Sequence, residues 1–289
     1  MFKAIFKTMR PRQWTKNAFI FAALVFDKQL FHLPAFLQTL AGFFLFCLIS
    51  SSVYIFNDIV DIEADRQHPE KRKRPLPAGQ LSVKVAWVAG IVLVVVTLLL
   101  GYWMDPEFAA VLVTYFLLNV AYSRWLKHQP IIDVLALAAG FVLRVEGGVT
   151  LIDVQRFSPW LYVVMTLLSL FLGFGKRRAE LALLAQGAGS HRKVLDGYTI
   201  PLLDQYIMIV SGTTIVAYSL YTFSAPNVPA NHAMMLTIPF VVYTIFRYLY
   251  LIQVEQAGGA PEDVLLTDRP FQVAMALWAV TVLIVFYLS

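Results

Sequence analysis

Residues Gln29–Asp65 read QLFHLPAFLQTLAGFFLFCLISSSVYIFNDIVDIEAD. From Gln29 to Asn57 no Asp, Glu, Lys or Arg interrupts the run, and Asp58, Asp61, Glu63 and Asp65 follow at once. A spanning helix needs about 20 mostly apolar residues, so the first part is long enough to cross a bilayer, and the second sets carboxylates at its end. The same apolar signal recurs along the chain. Val85–Met104, Phe108–Ser123, Phe157–Gly175 and Pro270–Ser289 are further runs, and Ile131–Leu151 is apolar but carries Arg144 and Glu146. Gln205–Phe246 is too long for one span, and Pro226-Asn227-Val228-Pro229 divides it. A short first segment over Lys16–Phe31 completes an expected nine transmembrane helices.

Composition agrees with this reading. Of 289 residues, 59% are hydrophobic and 14% charged, with a mean hydropathy of +0.68. Soluble domains carry roughly 25% charged residues, so too little polar surface is present for a water-soluble globule. An ordinary cytosolic enzyme, a disordered chain and a secreted disulfide scaffold are excluded. An all-α, polytopic membrane protein remains, expected as a single integral domain over residues 1–289 with polar loops at about 57–84 and 176–204. Cys47 is the only cysteine, which rules out an intrachain disulfide and a cysteine-based zinc site. P-loop, dinucleotide-binding, zincin and serine-hydrolase motifs are missing from the sequence.

Lys and Arg placement sets the expected orientation. With nine spans, only Lys28 and Arg156 of the 23 basic residues fall on one side; Arg144 and Arg247 lie within segments, and the rest gather with the N-terminus. The N-terminus and the polar chemistry are therefore expected in the cytoplasm and the C-terminus outside, in the cytoplasmic (plasma) membrane. The first sixteen residues carry Lys3, Lys7, Arg10, Arg12 and Lys16 without an acid, and no cleavable leader is expected.

Asp58, Asp61 and Asp65 are spaced by three and four, which on one helix places them within an arc of roughly 60°. Carboxylates so crowded repel one another, and a bound divalent cation relieves that cost. Oxygen ligands suit Mg²⁺, which takes one or two carboxylates and completes its shell with water and phosphate oxygens. A plainer reading pairs the carboxylates with Arg72, Lys73 and Arg74. Lys71–Arg74 would otherwise serve only as a topology signal; beside a metal they suit a diphosphate. Pro69, Pro75 and Pro77 stiffen this loop. Lys176, Arg177, Arg178 and Glu180 form a second, mainly cationic patch after the sixth segment. Arg144 is an intramembrane charge and a site candidate on that ground, with a structural ion pair as the alternative.

The sequence Asn57-Asp58-x-x-Asp61-x-x-x-Asp65 after an apolar helix resembles the UbiA superfamily of intramembrane prenyltransferases. Arg10-Pro11-Arg12-Gln13-Trp14-Thr15-Lys16-Asn17, Tyr122-Ser123-Arg124-Trp125-Leu126-Lys127, His68-Pro69-x-Lys71-x-x-Arg74-Pro75 and Gly175-Lys176-Arg177-Arg178-Ala179-Glu180-Leu181 are similar to its decaprenyl-phosphate phosphoribosyltransferase branch. Members with aromatic acceptors carry a second Asp-rich motif where this chain has Lys176–Glu180. A cationic patch cannot replace carboxylate ligands but can bind a phosphate without its own metal.

The resemblance implies a UbiA-like bundle in which Asp58, Asp61 and Asp65 hold Mg²⁺ and act as the catalytic carboxylates. It implies transfer of 5-phosphoribosyl from phosphoribosyl pyrophosphate to a polyprenyl phosphate, for cell-wall arabinan precursors. Asn57, Lys16, Lys71, Arg74, Lys127, Arg144, Lys176, Arg177, Arg178 and Glu180 are the expected substrate contacts. Glu146 departs from the family pattern, which has a small or apolar residue there. The alternative within the fold moves a prenyl group from a prenyl diphosphate to an aromatic or other small acceptor. A transporter is the alternative outside it, disfavoured because the polar clusters gather on one side. Membrane lipids and a second copy of the chain are expected partners; nucleic acid is not.

Overall fold

Helices begin where the sequence supplies caps and first-turn prolines. In this computed structural model, residues 1–68, 71–154, 158–185, 192–255, 264 and 267–288 are described. The helices are α1 (Phe2–Thr8), α2 (Phe21–Phe26), α3 (Leu33–Val60), α4 (Ile62–Gln67), α5 (Val83–Met104), α6 (Pro106–Arg124), α7 (Ile132–Val149), α8 (Pro159–Ala185), α9 (Ile200–Ser224), α10 (Ile238–Gln253) and α11 (Arg269–Tyr287). Ser82, Thr199 and Asp268 cap α5, α9 and α11 through their side chains, each satisfying a backbone N–H that the helix leaves open. Asp105 takes the Phe108 N–H at 2.8 Å, so α5 and α6 form a hairpin around a single residue.

Seven helices among the described residues are long and apolar enough to cross a bilayer. The two remaining expected segments differ for identifiable reasons. Pro11–Ile20 winds as a 3₁₀ helix before the short α2, so no single long helix forms there. Helix α7 spans 18 residues but carries Asp133, Arg144 and Glu146. The break expected at Pro226–Pro229 separates α9 from the next helical stretch, which starts at Ala233. Helix α8 runs to Ala185, beyond the expected end at Gly175, so Lys176–Glu180 sit on helix rather than loop; no Gly or Pro follows Gly175 soon enough to stop it. Arg156, one of the two basic residues expected on the outer side, and Pro69 lie outside the described residues.

The chain divides into two compact units. The first comprises Met1–Val25, Gln29–Arg124 and Leu143–Val154. Its central element is α3, whose most apolar window is 61% buried, against 17% for α5. Helix α5 correspondingly leaves Trp87, Val88, Ile91, Val95 and Leu99 exposed, as a lipid-facing helix does. Phe46, Ile49, Phe108, Leu112 and Tyr115 pack the core beside α3. The Gly147-Gly148 pair lets α7 come close: a Cβ on Gly147 would sit 2.5 Å from the Phe46 ring, and one on Gly148 would overlap the Ile20 carbonyl oxygen.

The second unit comprises Phe26–Lys28, Trp125–Val142 and Gln155–Ser289. Its core is Phe171 and Phe174 of α8, Leu203 and Ile207 of α9, and Tyr248 and Ile252 of α10. Gly175 presses on Tyr248 and Ile252. Arg247 of α10 grips Asp268 through both carboxylate oxygens, at 3.2 and 2.7 Å. That arginine and the Phe271 N–H hold the Asp268 carboxyl below the usual carboxylate range.

Candidate active site

The acidic motif spans a bend. Helix α3 stops at Val60, Asp61 takes φ −92° and ψ 6°, and α4 begins at Ile62. The three aspartates therefore do not share one straight helix, as their spacing suggested. The ladder nevertheless carries through the bend, because Asp61 N–H reaches the Asn57 carbonyl at 2.9 Å and Asp65 N–H the Asp61 carbonyl at 2.8 Å. Asp58 and Asp65 consequently stay on the same side. Both are buried, at 2% and 3% exposure, while Asn57 and Asp61 are half-buried.

Buried carboxylates need counterions, and two arginines supply them. Arg74 Nη1 lies 2.6 Å from Asp65 Oδ2 and 3.3 Å from Asp58 Oδ1. Of the three cations in the plainer reading of the sequence, Arg74 makes these contacts. The second arginine, Arg10, also donates to Asp58 Oδ1 and was not foreseen as a site residue. Its guanidinium lies 4.9 Å over the Tyr54 ring. Arg10 adopts a left-handed φ of 54° just before Pro11, an uncommon conformation for a non-glycine residue. Trp14 Nε1 donates to Ser51 Oγ at 3.1 Å, fastening this stretch to α3. A basic residue before Pro11 in an acid-free leader was the available signal, but nothing local says which carboxylate it meets.

The donor set decides what a metal ion would find here. Among the described residues no three His, Cys, Asp or Glu side chains converge to hold an ion, so a cage built from protein alone is not formed. Asp61 has no side-chain partner among the described residues. A shell of one or two carboxylates completed by diphosphate oxygens and waters, the usual Mg²⁺ arrangement, fits these groups. Lys71 is half-buried beside the motif, and its N–H approaches His68 Nδ1 at 3.3 Å. Lys16 is half-buried in the 3₁₀ stretch.

In the same unit Arg144 is 7% exposed. Its Nε donates to Asn17 Oδ1 and its Nη2 to the Tyr115 hydroxyl, both at 2.8 Å. Asn17 in turn reaches Ser50 Oγ and Cys47 Sγ, each at 3.3 Å. These contacts fasten α7 to the 3₁₀ segment, α3 and α6 through a buried polar network.

The second unit holds a separate ionic network. Arg177 is 1% exposed; its Nε lies 2.6 Å from Asp133 Oδ2 and its Nη1 2.7 Å from Glu180 Oε2. Asp133, wholly buried, accepts the Tyr198 hydroxyl at 2.7 Å through its other oxygen. That hydroxyl also accepts the Ile131 N–H at 2.5 Å, where Ile131 holds a left-handed φ of 70°. Burial, and then the Asp133 hydrogen bond, push the Tyr198 phenol above its ordinary range. Arg178 Nε meets Asp204 Oδ1 at 2.5 Å. Arg177 and Arg178 are thus engaged by carboxylates of their own unit; Lys176, next to them in the chain, and Lys127, after α6, are both half-buried. Asp133, Tyr198 and Asp204 escaped sequence reading because each gains its role only by pairing across helices.

Long apolar helices that enclose buried ionic and polar networks define a polytopic membrane protein. Residues 18–189 match the UbiA prenyltransferase family, and the chain belongs to that family. Over nearly its whole length it is similar to two enzymes named decaprenyl-phosphate phosphoribosyltransferase. That of Mycolicibacterium smegmatis is 32% identical over 99% of this chain and 93% of its own. That of Mycobacterium tuberculosis is 35% identical over 96% of this chain and 92% of its own. The fold matches a UbiA homolog from Archaeoglobus fulgidus solved with DMAPP and Mg²⁺, at a TM-score of 0.73 and 16% identity over 99% of each chain.

Proposed function

We propose that this chain transfers 5-phosphoribosyl from phosphoribosyl pyrophosphate to a polyprenyl, decaprenyl-type phosphate. The observation that carries this is the near full-length similarity to the two phosphoribosyltransferases. A second observation favours it over prenyl transfer to an aromatic acceptor. The place of a second acidic motif is taken by Lys176–Glu180, whose Glu180 is spent on Arg177.

Asp58, Asp61 and Asp65 are the residues that would hold Mg²⁺. When bound there, the ion neutralises part of the charge that gathers on the departing pyrophosphate. Arg74 and Lys71 bind oxygens of the same diphosphate, and Asn57 steadies the bend that sets the aspartates. Lys16 is a ligand for further phosphate oxygens, and Lys127 and Lys176 bind phosphate within their own unit. Arg144, Arg177, Arg178 and Glu180 act by holding helices and neighbouring side chains in place. An oxygen of the acceptor phosphate attacks the anomeric carbon as the bond from that carbon to the pyrophosphate oxygen breaks. A phosphate monoester is already ionised, so no side chain has to remove a proton. Catalysis rests on positioning and fixed charge. The product is an activated pentose suited to cell-wall arabinan synthesis. The chain works as one integral domain of the plasma membrane, with its N-terminus and active site cytoplasmic, its C-terminus outside, and other copies beside it.

The test is transfer of ribose label from phosphoribosyl pyrophosphate into polyprenyl phosphate in lipid nanodiscs. Label enters the lipid with wild type, and Asp58→Ala and Asp61→Ala each lower the rate by at least about 100-fold. Failure of label to enter lipid while a prenyl diphosphate is consumed refutes the proposal.

A further inference from the structure

The acidic motif carries its own cations. Asp58 is met by both Arg10 and Arg74, and Asp65 by Arg74. The carboxylates are buried, whereas both arginine side chains remain 30% exposed, so the arginines can leave the carboxylates more readily than the carboxylates can move. The two buried aspartates, Asp58 and Asp65, are thus matched by two guanidiniums. A bare divalent ion therefore meets a site that is largely neutralised. To bind, it has to push guanidiniums from buried carboxylates, leaving each displaced cation without a partner.

A metal ion that arrives with a diphosphate changes this balance. Such a complex is anionic overall, and its outer oxygens offer the planar, two-pronged acceptor geometry that guanidinium prefers. Each arginine then exchanges one anion for another. Both arginines are tethered for a short movement. Arg10 is set by its left-handed backbone and by Tyr54, and Arg74 by Pro75 after it and the Lys71–Lys73 3₁₀ turn before it.

We propose that Arg10 and Arg74 guard the motif: they occupy Asp58 and Asp65 in the free protein and release them only to a divalent ion accompanied by a diphosphate. This rests on the reading that the motif holds a metal ion. It adds Arg10 as a residue that contacts substrate, and it makes metal and donor bind as a unit.

The test measures radioactive Mn²⁺ retained by the full-length protein in neutral-lipid nanodiscs, at fixed free Mn²⁺, with and without inorganic pyrophosphate. Wild type retains Mn²⁺ at least about 100-fold more tightly with pyrophosphate, a coupling within the range found between linked ligands. By reciprocity, Mn²⁺ tightens labelled pyrophosphate by the same factor. Arg10→Gln and Arg74→Gln each strengthen retention of Mn²⁺ alone by about tenfold and reduce the coupling. Tight stoichiometric retention by wild type without pyrophosphate overturns the proposal while leaving the metal reading in place. Unchanged Mn²⁺-alone affinity in both variants also overturns it. Retention under neither condition overturns the metal reading and the proposal together.

Discussion

Asp133→Ala removes the carboxylate on which the second ion network converges. Asp133 has no exposed surface, and both its oxygens are used, one by Arg177 Nε at 2.6 Å and the other by the Tyr198 hydroxyl at 2.7 Å. Truncation leaves a buried guanidinium short of one counterion, though Glu180 still faces it at 2.7 Å. Breaking a buried pair from one side costs about 3–5 kcal/mol. The retained Glu180 puts the ionic part at the lower end, and the lost tyrosine hydrogen bond adds about 1 kcal/mol. The expected destabilisation is therefore about 4 kcal/mol. Arg177→Met in the same chain removes the stranded charge and should recover more than half of that loss, because an apolar replacement of a buried pair is often near neutral. The assay is reversible unfolding in mixed micelles for wild type, both single variants and the double variant. A change below about 1 kcal/mol for Asp133→Ala, the value of an exposed pair, refutes the reasoning. So does a double variant no more stable than Asp133→Ala.

Further predictions concern neighbouring features. The Tyr198 phenol is held protonated by burial and by Asp133. Its folded value is raised above the unfolded value of about 10. Its stabilisation is thus complete below pH about 10 and is lost as pH rises toward the folded value. A pH series of unfolding midpoints should be steeper above pH about 10 in wild type than in Tyr198→Phe; equal slopes disprove the linkage. Gly148→Ala sets a methyl group against the Ile20 backbone carbonyl, which cannot yield as a side chain can. It should destabilise the protein by about 2 kcal/mol even after the gain in helix propensity. Gly147→Ala meets ring edges of Phe46 and Phe108, side chains rather than backbone, and should cost clearly less; thermal unfolding of the two variants in nanodiscs compares them.

Much of the helical plan was legible because it depends on local properties. Apolar runs of spanning length and the Pro226–Pro229 break located most helices within a few residues. The UbiA resemblance rested on Asn57, Asp58, Asp61 and Asp65, and the family match bears it out. The weakest segment, Lys16–Phe31, was the one where a 3₁₀ stretch replaces a long α-helix. The end of α8 was misplaced because charge was read as a stop, although Lys, Arg and Glu are good helix formers.

Hydropathy and residue spacing by themselves determined that this is a multi-helix membrane protein with an acidic motif at one helix end, since each depends on neighbours in the chain. Only the tertiary structure decided which charges meet: Arg10 reaches Asp58 across 48 positions, Arg177 reaches Asp133 across 44 and Arg144 reaches Asn17 across 127. The physical reason is that a buried charge demands a partner wherever packing brings one within hydrogen-bond reach, and helix packing sets that reach without regard to distance along the chain.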